Sequence, residues 1–156
     1  STLCQIYLDC IVMNIDSRLV EISEYTGEGY RPLVDYGEWR VAILRYIDEL
    51  APENISFMER HNETDEVFVL LEGRCVLLIG EGEDGIEKIH GVTMLPHKLY
   101  NIKQGIYHSH ALSHDAIVLV VENRDTGVIN SKSVFLTDQQ REEILAMSKL
   151  FLWKNT

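Results

Sequence analysis

The chain has 156 residues, of which 46% are hydrophobic, and this length and composition fit one domain with its own core. Its 25 acidic and 14 basic residues give a net charge of -11, which repels phosphate backbones and anionic lipid head groups. No apolar run approaches the roughly 20 residues of a membrane span. We therefore expect neither nucleic acid nor a membrane as a partner.

Cysteine usage bears on the compartment. Cys4, Cys10 and Cys75 are odd in number and form no CxxC pair, which indicates reduced thiols rather than a disulfide framework or a zinc knuckle. The first residues lack the basic and hydrophobic regions of a signal peptide. We predict a cytoplasmic protein, with a secreted form whose leader was removed before Ser1 as the alternative. Cys75 lies in an apolar run and is predicted to be a small buried side chain.

Short apolar and β-branched runs dominate the middle of the chain. Before them, residues 5–12 fit either a strand or a short helix, and residues 17–24 are similarly undecided. Four later runs are too short for most core helices and predict strands at residues 39–47, 67–71, 76–79 and 116–121. Turn formers separate these runs, and the acidic, glycine-rich residues 81–88 predict an exposed hairpin tip. This spacing favours an antiparallel sandwich or barrel over repeated βαβ units.

A helix is predicted near the C-terminus. Thr137 and Gln140 form a capping box, in which each side chain binds a backbone amide of the other residue. Five residues that follow share one face at helical spacing: Ile144, Leu145, Ser148, Phe151 and Leu152. We predict that this helix, at about 138–152, packs on its own barrel, and packing on a partner chain is the alternative. The chain, 1–156, is predicted to be a single domain with its barrel core at about 38–122.

Two histidine-containing segments flank the middle strands. In the first, His61 is followed by Glu66 after four residues and by Gly73 after six more. In the second, Gly105 is followed by His108 after two residues. Such spacing can place metal ligands inside a β-barrel.

Together with the strand rhythm and the total length, these segments resemble the two motifs of the cupins, which are small jelly-roll barrels. The first cupin motif contains HxH, three or four residues, a glutamate, six residues and a glycine. The second motif ends in a glycine, two residues and a histidine. His61, Glu66 and Gly73 match the first, and Gly105 and His108 match the second. The resemblance implies an all-β, single-domain cupin-type jelly-roll β-barrel with a C-terminal α-helix.

The chain also departs from these motifs. Glu59 stands where the first histidine is expected, and four other signature positions are changed: Glu53, His97, Lys103 and Leu112. An alternative alignment, with a gap of three residues, puts Arg60 and Asn62 at the two histidine positions and leaves only Glu66 and His108 as ligands. A barrel follows from either alignment, whereas metal binding depends on the first.

The first alignment implies a metal site made of His61, Glu66 and His108. Two histidines and one carboxylate leave coordination positions open to water or substrate, and they suit a divalent transition metal such as Fe, Mn, Ni or Zn. Glu59 shares its strand face with His61 and is either a fourth ligand or a general base, while His110 is the other candidate for proton transfer. The alternative is a degenerate cupin without metal, in which His61 is a solvated loop residue.

Two further residues are candidates for a ligand pocket in the barrel. Arg45 and Tyr107 lie in or beside predicted strands, and barrel interiors bind small molecules through apolar walls with a few polar groups. A cationic Arg45 inside an acidic protein would select a carboxylate or other anionic group. Tyr107 is either such a pocket residue or a core residue with a wet hydroxyl.

Two functions from different classes follow. The first is a metal-dependent enzyme of the cupin type that acts on a small polar or anionic metabolite, such as a sugar derivative or a hydroxy or keto acid. The resemblance implies isomerase, lyase or oxygenase chemistry, and the fold does not choose among them. The second is a metal-free module that binds or senses a small ligand, which the glutamate at position 59 favours. The resemblance and the apolar terminal segments also predict a homodimer.

Overall fold

The computed structural model of the chain describes residues 15–152, with side chains as far as residue 150. Two single 3-10 turns, at Asp48–Leu50 and Val128–Asn130, accompany the regular elements. The strands and the helix in this range are β1 (Gly29–Tyr36), β2 (Trp39–Arg45), β3 (Phe57–His61), β4 (Glu66–Glu72), β5 (Cys75–Glu81), β6 (Lys88–Thr93), β7 (Tyr100–Ile102), β8 (Tyr107–Leu112), β9 (Ile117–Asn123), β10 (Ser131–Phe135) and α1 (Asp138–Leu152).

The strands form two five-stranded sheets, in the orders β1-β2-β9-β4-β7 and β10-β3-β8-β5-β6, and every pairing is antiparallel. Consecutive strands repeatedly change sheet, which is the arrangement of a jelly-roll barrel. The predicted fold is therefore confirmed. The strands run from residue 29 to residue 135, so the predicted core of 38–122 is too narrow. It omitted β1 and β10, whose sequences contain proline or several polar residues in place of an apolar run.

The region before β1 contains no regular element in its described part. Residues 17–19 form a turn, and residues 20–26 are neither helix nor strand. The prediction for residues 5–12 lies outside the described residues. The four predicted strands correspond to β2, β4, β5 and β9, and the predicted hairpin tip lies between β5 and β6.

Side chains alternate between the two faces of each strand, and those on the inner face line the space between the two sheets. On β9, Val118 and Val120 are buried and lie beside Leu70 and Phe68 of the neighbouring strand β4, within one apolar cluster. Phe68 is paired with Val120 in the register of the two strands. The same alternation carries Glu66 and Glu122 to the inner face at one end of the barrel, where both side chains are buried.

Strand β8 is buried at all six positions, because both of its faces are covered. Its inner face carries His108 and His110 towards the barrel interior. Its outer face carries Tyr107 and Ala111, which pack in a second apolar cluster with Ile144 of helix α1.

Helix α1 packs on its own barrel, as the sequence predicted. Thr137 Oγ1 accepts a hydrogen bond from the Gln140 amide, and the Gln140 side chain accepts one from the Thr137 amide, so the capping box is present. Ile144 and Ser148 of the predicted apolar face are fully buried. The side chains of residues 151 and 152 lie outside the described part. Among the described residues, no helix is long and apolar enough to cross a membrane.

The glycines of both motif-like segments, Gly73 after Glu66 and Gly105 before His108, occupy left-handed backbone conformations. Gly73 has φ 71° and Gly105 has φ 76°. At Gly73 a Cβ atom would also lie 2.6 Å from the backbone of Ala116, whereas a Cβ at Gly105 would meet no atom within 4 Å. A side chain at Gly73 is therefore opposed by conformation and by space, and one at Gly105 by conformation alone.

We expect Gly73→Ala to lower the free energy of unfolding by about 2 kcal/mol or more, since it combines left-handed strain with a backbone clash. Gly105→Ala should cost about 1 kcal/mol, from the conformation alone. Gly85→Ala is the control, because no atom lies near its Cβ and its φ is not in the left-handed region, and it should stay within about 0.5 kcal/mol of the native protein. Urea unfolding of the three variants measures the order, and equal losses at Gly73 and Gly85 would contradict it.

Candidate metal centre

Three side chains from three strands converge inside the barrel. His61 ends β3, Glu66 begins β4 and His108 is the second residue of β8. The Nε2 atoms of His61 and His108 lie 2.7 Å and 3.4 Å from Oε2 of Glu66. One ligand atom of each residue lies within 4.8 Å of the other two, and all three residues are buried. The structure thus brings together the three residues that the sequence predicted as metal ligands.

The spacing of these atoms fits a metal ion. Two protein ligands that are each about 2.1 Å from a metal, at angles of 90° to 110°, lie roughly 3.0 to 3.4 Å apart. The two observed separations from Glu66 Oε2, 2.7 Å and 3.4 Å, are close to this range. Neutral imidazole and carboxylate form the donor set of two histidines and one carboxylate that binds divalent transition metals with positions left open.

Hydrogen bonds on the far side of each imidazole orient the ring. The Nδ1–H of His108 donates to the Ile106 carbonyl at 3.0 Å, which directs Nε2 of the same ring towards Glu66. Nδ1 of His61 lies 2.7 Å from the Ser131 hydroxyl, which either donates or accepts. Such contacts fix the tautomer and direction of a metal-binding histidine.

Asp65 ties together the loop that precedes β4 and the loop that precedes β8. Its carboxylate accepts hydrogen bonds from the side chains of Asn101 and Lys103 and from the backbone amide of Gln104. These contacts, led by Lys103, lower the pKa of Asp65 to about 2. The next amide, of Gly105, donates to the His61 carbonyl at 2.8 Å. The loop before β4 and the loop before β8 are thereby held in one position relative to the site.

The electrostatics keep Glu66 ionised. Burial alone would raise its pKa, but the hydrogen bonds from His108 and His61 outweigh burial and lower the pKa to about 2. Burial likewise acts to lower the pKa of His61, and the Glu66 carboxylate raises it above the ordinary value. Glu66 is therefore a carboxylate at any pH near neutrality, which is the form that binds a cation.

The three residues lie in the wall of an open cavity of about 540 Å³. Phe57, Phe68 and Val120 contribute apolar wall, and Glu49 and Glu59 are among its acidic residues. A cavity of this size accommodates a small molecule rather than a polymer segment.

The two residues predicted to transfer protons both line this cavity. Glu59 lies on β3, and its Cα is paired with that of His108. His110 is buried against the ring of Phe68, with 4.3 Å between the ring centroids. Burial and then the nearby His108 lower the pKa of His110 to about 3, so this imidazole is neutral near pH 7. It therefore carries no imidazolium proton to donate, and its role and that of Glu59 stay predictions.

The structure places neither predicted pocket residue at the cavity. Arg45 follows the inward-facing Leu44 on β2, so it lies on the opposite face, where its guanidinium donates to the Tyr25 carbonyl at 3.4 Å. Tyr107 precedes the inward-facing His108, so it lies under helix α1 in the second apolar cluster. Among the described residues that line the cavity there is no lysine or arginine.

Glu122 and Tyr30 are among the polar residues of the cavity that sequence reasoning missed. Glu122 is 7% exposed, and the Tyr30 hydroxyl donates a hydrogen bond to its Oε1 atom. Burial, followed by repulsion from Glu66, raises the pKa of Glu122 to about 7. The signal for Glu122 was present, because it continues the inward alternation of Val118 and Val120 beyond the apolar run. Tyr30 had no such signal, since a register shift interrupts β1.

Comparisons with known proteins give likenesses of fold. No family model and no curated protein matches the chain. A cupin-2 domain containing protein from Shewanella frigidimarina is 17% identical with a TM-score of 0.45, covering 75% of this chain and 99% of its own. A cupin superfamily protein from Desulfitobacterium hafniense is 14% identical with a TM-score of 0.46, covering 70% and 87%. KdgF from Halomonas sp. is 12% identical with a TM-score of 0.46, covering 62% and 79%.

These TM-scores are below 0.5, so the three structures tell nothing of the activity of this chain. The jelly-roll barrel rests on the strand order, the register and the burial pattern of the chain itself.

We expect Ser131→Ala to weaken binding of a divalent metal about tenfold, because the His61 ring loses the contact that orients it. Ser133→Ala is the matched control, since Ser133 also lies on β10 and lines the cavity, and its hydroxyl makes none of the described hydrogen bonds to the three ligand residues. Competition against a fluorescent chelator measures both affinities for Zn²⁺. An equal effect of the two substitutions would show that Ser131 does not position His61.

Proposed function

We propose that the protein is a metal-dependent enzyme that binds a small polar metabolite inside its barrel. The observation that carries the proposal is the convergence of His61, Glu66 and His108 on one point in the wall of an open cavity. These three groups would hold a divalent transition metal, and a set of only three protein ligands would leave coordination positions open. A divalent metal bound there supplies Lewis-acid polarisation of a ligand oxygen.

The residues of the chain supply the rest of the site. Glu66 provides the negative charge, and contacts at Nδ1 hold the His61 and His108 rings in a direction that suits metal binding. Phe68 lies beside His108, with 5.8 Å between ring centroids, and covers it with apolar surface. Glu59 and Glu122 are carboxyl groups within the same cavity, and each could accept a proton from a bound metabolite.

A metal-free binding module is the alternative that Glu59 favours, because a glutamate replaces the fourth ligand that the motif expects. The anionic substrate predicted through Arg45 is not part of the proposal, since Arg45 lies outside the cavity. The homodimer and the cytoplasmic location remain predictions from the sequence.

The test is the metal content of protein purified without added metal. We expect about one Fe, Mn, Ni or Zn per chain in the native protein and none above background in the double variant His61→Ala, His108→Ala. Adding Fe, Mn, Ni or Zn to metal-free protein should also raise the unfolding temperature of the native protein, because the ion binds the folded state. His90→Ala is the control, since His90 is an exposed histidine paired with Glu81 outside the cavity, and it should retain the metal.

Metal that survives in the double variant would contradict the assignment of the ligands. A native protein that holds no metal, and whose unfolding temperature does not respond to any of the four ions, would contradict the enzyme and support the metal-free module.

A further inference from the structure

We propose that the cavity contains a second polar subsite, formed by His110 and by Glu122 with its partner Tyr30, and that this subsite holds an uncharged, hydroxyl-bearing arm of the ligand. The inference deepens the proposed function by naming the chemical class of the ligand. It rests on the proposed function only for the claim that the same ligand also reaches His61, Glu66 and His108.

The first observation is the unpartnered nitrogen of His110. The residue lines the cavity and is 6% exposed, and its Nε2 atom has no hydrogen-bond partner among the described residues. A buried polar atom without a partner costs free energy, so a residue of this kind in an apolar wall needs an explanation. Leucine would fill the same space beside Phe68 without that cost. A ligand that bonds to Nε2 accounts for the histidine.

The second observation is the pair made by Glu122 and Tyr30. Glu122 is buried on the inner face of β9, where its described hydrogen bond comes from the Tyr30 hydroxyl rather than from a cation. Arg40 makes two hydrogen bonds of 2.8 Å and 3.0 Å to Asp35 and also interacts with the Tyr30 hydroxyl, on the side of Tyr30 and Glu122 that does not line the cavity. Tyr30 uses one oxygen of the carboxyl and leaves the other free to bond a group in the cavity.

The charge of the wall selects against an anionic arm. Glu49, Glu59 and Glu122 line the cavity in addition to Glu66, and no lysine or arginine does so among the described residues. An anion would lose its hydration there without gaining a cationic partner. A hydroxyl group avoids this cost, because it both donates and accepts and therefore matches an imidazole nitrogen and a carboxyl group at once.

A stability measurement tests the unpartnered nitrogen without any ligand. We expect His110→Leu to raise the unfolding temperature of metal-free protein by about 2 to 4 °C, because the substitution removes a buried polar atom that lacks a partner. His90→Leu, at an exposed position, should change it by less than about 1 °C. A lower unfolding temperature for His110→Leu would overturn the proposal, since it would show that the imidazole is kept for stability.

A binding measurement tests the chemical class. The probes are erythritol and its carboxylic acid erythronate, which share a four-carbon hydroxylated chain and differ in charge. Metal-free, isotope-labelled protein is titrated with each, and the side-chain resonances of His110 and Glu122 are followed by NMR. We expect erythritol to shift both resonances and erythronate to bind at least about tenfold more weakly. Glu122→Gln should weaken erythritol about fivefold, and Glu72→Gln, on the same sheet outside the cavity, should not.

Erythronate binding as tight as erythritol, or erythritol leaving both resonances unmoved, would overturn the inference. Both measurements use metal-free protein, so their outcome is independent of the metal analysis. A protein that binds erythritol but no metal would keep the subsite and reject the enzyme, and one that binds metal but not erythritol would do the reverse.

Discussion

The arrangement of the barrel interior depends on one buried ionic contact, the Glu66 carboxylate between the imidazoles of His61 and His108. An isolated carboxylate in this position would be protonated, because burial disfavours its charge. The two imidazoles reverse that effect and keep the pKa of Glu66 at about 2. Residues from three strands must therefore meet at one point, and the loops and hydrogen bonds around the site serve to keep them there.

The supporting contacts explain how a chain with few motif residues retains a defined site. Asp65 ties together the loops that precede β4 and β8, Gly73 allows the tight turn that ends the first segment, and Gly105 allows the one that begins the second. Ser131 reaches the site from the edge strand β10, which the sequence did not reveal as a strand. The site thus draws on elements well outside the segments that resemble motifs, which is why the barrel, rather than the motif alone, defines it.

Much of the fold and of the candidate site could be predicted from the sequence wherever apolar and polar residues alternate clearly along a strand. The spacing of His61, Glu66 and His108 placed all three inside the barrel, and the capping box at Thr137 located the helix. Alternation along β8 also predicts that Tyr107 lies on the face opposite to His108. Alternation along β9 predicts that Glu122 faces the barrel interior, as Val118 and Val120 do. The orientation of the Arg45 side chain was harder to predict, because its strand is apolar on both faces and the sequence does not show which face is inward. Strand β1 was not predicted, because Pro32 and a register shift interrupt its alternation of side chains. Tyr30, which lies on this strand, was therefore not predicted as a cavity residue.

The central claim is that the three side chains bind one metal ion in the cavity wall. A crystal grown with Mn²⁺ or Zn²⁺ and measured at the absorption edge of that metal locates the ion directly. We expect one anomalous peak within about 2.3 Å of His61 Nε2, His108 Nε2 and a carboxylate oxygen of Glu66. An anomalous peak only at other residues, with the two imidazoles still bonded to Glu66, would contradict it.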